Sequence, residues 1–240
     1  RSLIGKENLN YKCCEFGAWD GVHFSNTFNL IKNKSYDAIL IESNKKKFKQ
    51  LRENIPARNI IKLNQKVGFE KNSNLDFILK QHAYPIDIDF VSIDIDGNDY
   101  HIFNDLKEFT PKFICIEFNP SMSNSLLFVQ KKDQNISHGS SIRSLVNLAL
   151  KKKYHLVTCT PTNVFFIHEN YKQKVIGDGN ISIDHIRKER LVEAFVGYDG
   201  TIFFSRKIIL QWHKLTFNKI NVFPKILLGY SGGYNFFQKI

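Results

Sequence analysis

The sequence predicts an α/β protein with a seven-stranded, mostly parallel sheet, an antiparallel last strand and helices on both faces. Strand and helix signals alternate with short breaks through about residue 155, as in a parallel sheet with helical crossovers. Only Pro161-Thr162-Asn163 separate the last two predicted strands. That connection is too short for a helical crossover, so this pair must be antiparallel. A glycine turn follows the first strand and an acid ends the second, an arrangement typical of α/β folds that hold a nucleoside.

Strands are predicted where short apolar runs are bounded by turn residues. The strongest is Ile88 to Ile95, where Asp94 falls near the end and Asp96-Gly97 follows. The seven predicted strands are Tyr11–Phe16, Ala38–Glu42, Ile60–Asn64, Ile88–Ile95, Phe113–Phe118, Tyr154–Thr160 and Val164–His168.

Helices are predicted between the strands, where apolar residues recur every three or four positions. Phe48, Leu51 and Ile55 share one face of a helix that Pro56 ends. The other predicted helices are Val22–Lys32, Leu75–Lys80, Tyr100–Phe109 and Ile142–Lys153.

The length of 240 residues allows one large α/β domain, or one domain with a small appendage. We expect residues 1–170 to form the main domain. Beyond residue 170 the alternation fails, and residues 171–240 are expected to form a basic, aromatic cap or extension on the same domain. Its aromatic residues include Phe203-Phe204, Trp212, Phe217 and Phe236-Phe237.

Composition predicts a cytoplasmic protein. The chain contains no run of about 18 apolar residues, and Arg1-Ser-Leu-Ile lacks a signal-peptide core. Because it does not begin with Met, we expect it to be processed or a fragment. The four cysteines fall in predicted strands, so neither a disulfide framework nor a zinc site is expected. They are Cys13, Cys14, Cys115 and Cys159.

The net charge is +11, from 34 basic and 23 acidic side chains. Lysine runs such as Lys45-Lys46-Lys47 and Lys151-Lys152-Lys153 contribute much of it, and such runs are usually solvated surface. An AT-rich genome would also enrich Lys, Asn, Ile and Phe. The charge therefore favours an anionic partner or substrate, while nucleic acid is not expected from charge alone.

The glycine turn at residues 13–21 is the most informative motif. Gly17 is expected to make a tight turn and Gly21 to open the following helix. Glu42 would reach the same carboxyl edge of the sheet, where a carboxylate can accept hydrogen bonds from two ribose hydroxyls. Trp19 replaces the middle glycine of a dinucleotide motif, and Asp20 adds negative charge where a pyrophosphate would sit. Both features disfavour NAD and FAD.

Taken together, the motifs resemble the class I S-adenosylmethionine-dependent methyltransferases, and most nearly the FkbM-like group. The resemblance covers roughly residues 10–170. It is carried by Glu15-Phe-Gly-Ala-Trp-Asp-Gly21, Ile41-Glu42, Ser92-Ile-Asp-Ile-Asp-Gly-Asn-Asp99, Ile116-Glu-Phe-Asn-Pro120, Tyr154-His-Leu-Val157 and Asn163-Val-Phe-Phe-Ile167. It implies a Rossmann-like methyltransferase sheet, S-adenosylmethionine at the carboxyl ends of the first four strands, and methylation of a hydroxyl on a sugar or natural product.

The same resemblance implies a set of cofactor-binding residues. Glu42 would bind the ribose hydroxyls, Asn64 and Gln65 would flank the adenine, and Asp94 would lie beside the sulfonium or the acceptor. The methionine and ribose portion would be lined by Glu15, Gly17, Ala18 and Gly21, with Asp20 in the same turn.

An acidic cluster ends the central strand, where open α/β sheets place their ligands. In one interpretation Asp94 and Asp96 hold a divalent cation such as magnesium, completed by Glu117 and Asn119, which would activate a substrate hydroxyl. In the metal-free interpretation Asp94 or His101 acts as general base. Alternatively, the segment Asp96-Gly97-Asn98-Asp99 is a turn and helix cap, a role favoured for Asn98 and Asp99.

Two rival functions remain at this stage. Asp94-Ile-Asp96-Gly97, with Gly177-Asp-Gly-Asn180, matches the acidic motifs of haloacid-dehalogenase-like phosphatases. That family expects its aspartates on the first strand and leaves the glycine turn unexplained. The basic, aromatic tail around Arg206–Lys214 suggests instead a module that binds nucleic acid or an anionic membrane surface. We predict a methyltransferase that acts on a hydroxyl of a sugar, glycan or related small molecule.

Overall fold

The computed structural model describes residues 4–189, 191–210 and 215–221. The chain divides into two compact units, Arg1–Glu189 and Arg190–Ile240. No helix in the described ranges is long and apolar enough to cross a membrane.

The first unit is built on a seven-stranded sheet in the order β3-β2-β1-β4-β5-β7-β6. Strands β1 to β5 are parallel, and β7 runs antiparallel to both of its neighbours. The predicted fold class is therefore confirmed. The strands are β1 Lys12–Phe16, β2 Asp37–Ile41, β3 Ile60–Leu63, β4 Phe90–Ile93, β5 Phe113–Glu117, β6 Tyr154–Cys159 and β7 Asn163–His168.

Helices cover both faces of this sheet. On one face α1 and α2 pack over Cys13, Ala38 and Leu40. On the other face α3, α4 and α5 pack over a larger core that includes Phe16 and Ile93. The helices of this unit are α1 Phe28–Lys34, α2 Lys45–Asn54, α3 Leu75–Gln81, α4 Asp99–Asp105, α5 Ile142–Lys151, α6 Glu169–Ile176 and α7 Ile183–Ile186.

The prediction for the first helix was wrong about its start. It begins at Phe28 rather than at residue 22, because turns held by buried carboxylates occupy residues 18–27. The four cysteines are free, and three of them are buried.

The second unit contains a three-stranded antiparallel sheet in the order β10-β9-β8. Its strands are β8 Ala194–Val196, β9 Thr201–Leu210 and β10 Leu215–Asn221. Residues 171–189, which were expected to be part of the extension, belong to the first unit. The cap role of residues 171–240 stays a prediction, and Trp212 and Phe236-Phe237 lie outside the described residues.

Candidate functional site

The turn after β1 ties three strand ends together. The amides of Gly17 and Ala18 both donate to the carbonyl oxygen of Ile41, at 3.1 Å. Gly17 has φ +78°, and a Cβ there would lie 1.6 Å from the carbonyl oxygen of Asp94. The tight turn expected at Gly17 is therefore present, and only glycine fits it.

Gly21 has a different role from the one predicted. It does not open a helix, because α1 begins seven residues later, at Phe28. A Cβ on Gly21 would lie 2.5 Å from Leu51 Cδ1 and 2.8 Å from Ile55 Cγ1, so this glycine lets the loop pack on α2. Asp20 is buried, and its Oδ1 accepts hydrogen bonds from the amides of Val22 and His23. Gly21 and Asp20 thus shape the turn.

Glu15 is buried beneath the same loop. Its carboxylate accepts hydrogen bonds from the Ser25 hydroxyl at 2.6 Å, the Thr27 hydroxyl at 2.5 Å and the Asn26 amide at 2.8 Å. Burial raises the pKa of Glu15, and these hydrogen bonds partly oppose that rise. Its described partners thus belong to the loop, and a direct contact with a cofactor stays a prediction.

Glu42 lies at the carboxyl end of β2, close to the glycine turn. Its side chain is buried, Oε2 accepts from the Trp19 amide at 2.9 Å, and Oε1 accepts from the Asn44 amide at 2.7 Å. The Asn64 side-chain amide donates to the Glu42 carbonyl at 2.8 Å and joins the ends of β2 and β3, while Gln65 is exposed. Because each carboxylate oxygen has two lone pairs, Glu42 retains capacity for two more donors.

Four carboxyl groups at the ends of β4 and β5 form what we call the acidic edge: Asp94, Asp96, Asp99 and Glu117. Asp99 caps the turn before α4, accepting from the amides of Ile95 and Gly97, both at 2.9 Å. Glu117 accepts from the Asp96 amide at 3.1 Å. Asp99 therefore closes the predicted turn, but the amides that it binds precede α4, so it does not cap the helix.

Asn98 only partly fits the predicted cap. It occupies the N-cap position of α4, but its side chain makes no capping bond and donates instead to the Asp133 carbonyl at 2.9 Å. The Asn98 side chain therefore holds the loop between β5 and α5 and does not cap the helix.

Burial and mutual repulsion dominate the electrostatics of the acidic edge. Burial, with Asp96 and Glu15 nearby, raises the pKa of Asp94 to about 6, while a hydrogen bond with the Asn163 side chain opposes the rise. Burial and the Asp94 charge raise the pKa of Glu117. Among the described residues, no Lys or Arg forms an ion pair with these four carboxyls. A positively charged ligand would relieve the repulsion.

The predicted cation site is not supported by this geometry. In the part of the chain that the structure describes, no group of three or more His, Cys, Asp or Glu side chains is arranged to hold a metal ion. Asn119 is engaged elsewhere: its Oδ1 accepts from the Ser121 amide and hydroxyl, and its Nδ2 donates to the His138 carbonyl. Asp96 is exposed on a turn with φ +57°. The prediction that Asp94, Asp96, Glu117 and Asn119 share one cation therefore finds no support among the described residues.

His101 is not placed to act as a general base through Nε2. That nitrogen lies 2.8 Å from the Gln130 carbonyl oxygen, so it must carry the proton and donate it. Gln130 itself is buried, and its Oε1 accepts from the amides of His138 and Gly139. His101 therefore anchors the loop between β5 and α5, and the His138 side chain on that loop is exposed.

Two cationic side chains of this unit, Lys112 and Arg143, have structural roles. Lys112 is buried and pairs with buried Asp89 at 2.6 Å. Arg143 donates through Nε to the Asn124 carbonyl at 2.8 Å.

Sequence reasoning missed Asn163, Gln130 and the contacts of Trp19. Asn163 opens β7 and pairs in register with Glu117 on β5, which brings it to Asp94. Its place directly after the short turn 160–162 was the one available signal. Nothing in the sequence distinguishes Gln130 from an exposed loop residue.

The structure does not favour the rival functions. Asp178 is exposed just beyond α6, and the acids that raise the pKa of Asp94 are Asp96 and Glu15. The phosphatase pairing of Asp94 with residues 177–180 thus has no support. Within the basic tail segment, Arg206 and Lys207 lie on β9, whereas residues 211–214 are outside the described ranges.

Comparison with solved structures found several similar proteins. The chain is similar to a fibrillarin/Nop5p complex (14% identity, 65% of this chain and 70% of that chain, TM-score 0.43). It is also similar to TrmK of M. capricolum bound to S-adenosyl-homocysteine (14% identity, 67% and 63%, TM-score 0.38) and to a SAM-dependent methyltransferase from Aquifex aeolicus (10% identity, 65% and 79%, TM-score 0.36). No family model matches the chain, and the search of curated proteins found no match.

Proposed function

We propose that this chain is an S-adenosylmethionine-dependent methyltransferase of the FkbM-like group that methylates a hydroxyl of a sugar, glycan or related small molecule. One observation carries the proposal. The Gly17 turn, the buried Glu42 carboxylate and the acidic edge all lie at the carboxyl edge of one sheet in the order β3-β2-β1-β4-β5-β7-β6. Ligands of open α/β sheets bind at that edge.

The residues present fit this cofactor. Its ribose offers two hydroxyl donors, and the two oxygens of Glu42 retain unused acceptor capacity. Its sulfonium and ammonium groups are positive, which complements an acidic edge without a described cationic partner. When bound, S-adenosylmethionine supplies an activated methyl group.

Asp94 is the group that we assign to the acceptor hydroxyl. Methylation of a hydroxyl releases one proton, which needs a base close to the oxygen. Burial raises the pKa of Asp94 to about 6, so its carboxylate holds a proton better at neutral pH than an ordinary aspartate does. The Asn163 side chain lies beside Asp94 and partly opposes this rise in pKa. Proximity and alignment of the acceptor supply the remaining rate enhancement.

The remaining features of the proposal concern the surroundings. The net charge of +11 favours an anionic acceptor. Free cysteines, three of them buried, agree with a reducing compartment, and we propose the cytoplasm. Residues 190–240 are assigned no role in transfer.

Calorimetry with S-adenosyl-homocysteine tests the cofactor assignment. We expect the parent to bind, and Glu42→Ala to weaken the affinity about tenfold or more, as for the loss of hydrogen bonds to a charged group. Glu42 also accepts hydrogen bonds from the Trp19 and Asn44 amides, so alanine could disturb the turn as well. Glu42→Gln is therefore the second variant, because it keeps the shape of the side chain. Glu53→Ala, an exposed acid on α2, is the matched control. The absence of binding heat in the parent would refute the proposed function, whereas undiminished binding by both Glu42 variants would refute only the ribose assignment.

A further inference from the structure

Three aromatic side chains on the loop between β1 and α1 form what we call the aromatic platform: Trp19, His23 and Phe24. The Trp19 ring centroid lies 6.4 Å from that of His23 and 6.4 Å from that of Phe24, with interplanar angles of 38° and 35°. Phe24 is 88% exposed. The proposed transfer step uses none of these three side chains.

The backbone conformation that presents the platform is unfavourable, but hydrogen bonds to buried carboxylates hold it in place. Trp19 has φ +47° and Phe24 has φ +56°, values that bulky residues rarely adopt. Buried Asp20 accepts from the His23 amide at 2.8 Å and lies 2.5 Å from His23 Nδ1, and buried Glu15 holds the residues that follow Phe24. A strained conformation that its surroundings enforce is often found at ligand sites.

Positive charge borders the platform. The Nζ atom of Lys47 lies 4.8 Å from the Trp19 ring centroid, which fixes one ammonium group at the rings. The same helix carries further cations and a single acid, Glu53. Lys45 and Lys46 are exposed on its first turn.

We propose that the aromatic platform and the first turn of α2 bind an acidic saccharide, a pyranose chain that carries carboxylate groups. The apolar C–H face of a pyranose ring would pack on exposed Phe24 and half-buried Trp19, and its carboxylates would pair with Lys45 to Lys47. The consequence of this inference rests on the proposed function. Because the Trp19 amide donates to Glu42, a saccharide bound here would lie next to the proposed ribose position. A flat nucleobase is clamped best between two parallel rings. The rings of the platform are tilted and form an open surface instead.

Trp19 fluorescence reports the binding directly. In a Trp212→Phe background, the full chain with S-adenosyl-homocysteine is titrated with an oligogalacturonate and with its methyl ester, which has the same backbone without charge. We expect the oligogalacturonate to change the Trp19 emission and the ester to bind about fivefold or more weakly. Phe24→Ala should weaken oligogalacturonate binding about fivefold, and Phe24→Tyr should restore it.

Ile86→Ala is the matched control, because Ile86 is 63% exposed and lies before β4, at the opposite edge of the sheet. Equal binding by the parent and Phe24→Ala, equal binding of the acid and its ester, or no change in Trp19 emission would each overturn the inference. Tighter, Phe24-dependent binding of an oligouridylate would assign the platform to single-stranded nucleic acid and overturn it as well. Saccharide binding that persists although S-adenosyl-homocysteine gives no binding heat would support the platform while refuting the methyltransferase proposal.

Discussion

Replacement of Gly17 by alanine measures how closely the β1 turn approaches the end of β4. A Cβ at this position would lie 1.6 Å from the Asp94 carbonyl oxygen, and real Cβ contacts essentially never fall below 3.0 Å. The distance must therefore grow from 1.6 to 3.0 Å, by about 1.4 Å. Such a shift would break the hydrogen bond from the Asp94 amide to the Phe16 carbonyl, now 3.3 Å long.

The expected loss of stability is large. Positive φ at a residue with a Cβ costs about 1–3 kcal/mol, and forced repacking costs about 1–3 kcal/mol more. A broken hydrogen bond adds about 1 kcal/mol. We therefore expect Gly17→Ala to lower the free energy of unfolding by about 3–7 kcal/mol, a large share of the about 5–15 kcal/mol typical of a folded domain.

Gly177→Ala separates backbone strain from the close contact. Gly177 also has positive φ, +67°, but nothing lies within 4 Å of the Cβ position. This variant should lose only the backbone contribution, about 1–3 kcal/mol. Urea unfolding of both variants, with the slope compared as well as the midpoint, provides the measurement. Equal losses in the two variants would show that the contact with Asp94 is not what requires glycine at position 17.

Two further predictions concern buried charges. Burial, followed by the charges of Asp94, Asp99 and Asp96, raises the pKa of Glu117 from 4.5 to about 9. Because the folded state then binds this proton more tightly than the unfolded state, stability should fall as pH rises through that window, and Glu117→Gln should flatten the fall. Urea unfolding at about pH 5 and about pH 8 measures both slopes, and parallel slopes would contradict the assignment. Lys112→Met should cost about 3–5 kcal/mol in the same assay, because it leaves buried Asp89 without its cation; a loss below about 1 kcal/mol would count against the buried pair.

The strands of the sheet were predictable because each is a short apolar run with clear turn residues at its ends. The predicted start of β5 at Phe113, for example, coincides with the observed one, since Pro111 and Lys112 precede a continuous apolar run. The antiparallel β6–β7 pair followed from loop length alone, which excludes a helical crossover.

The hydrogen-bond partners of side chains in and near the loops were not predictable in the same way. Glu15 and Asp20 looked like ligand-facing acids, but they satisfy backbone amides and hydroxyls of the loop that delays α1. His101 and Asn119 likewise bind loop carbonyls. Such long-range partners depend on where a loop folds back, and periodicity carries no information about that.

The position of β7 has a consequence for synthesis of the chain. Although β7 is the last strand of the large sheet to be made, it lies between β5 and β6 and brings Asn163 to Asp94. During translation β6 emerges before β7, the strand that joins it to β5. The sheet therefore stays incomplete until residue 168 has left the ribosome. A nascent chain that ends before β7 would leave β5 and β6 without the strand that pairs with both, and Asp94 without Asn163 beside it.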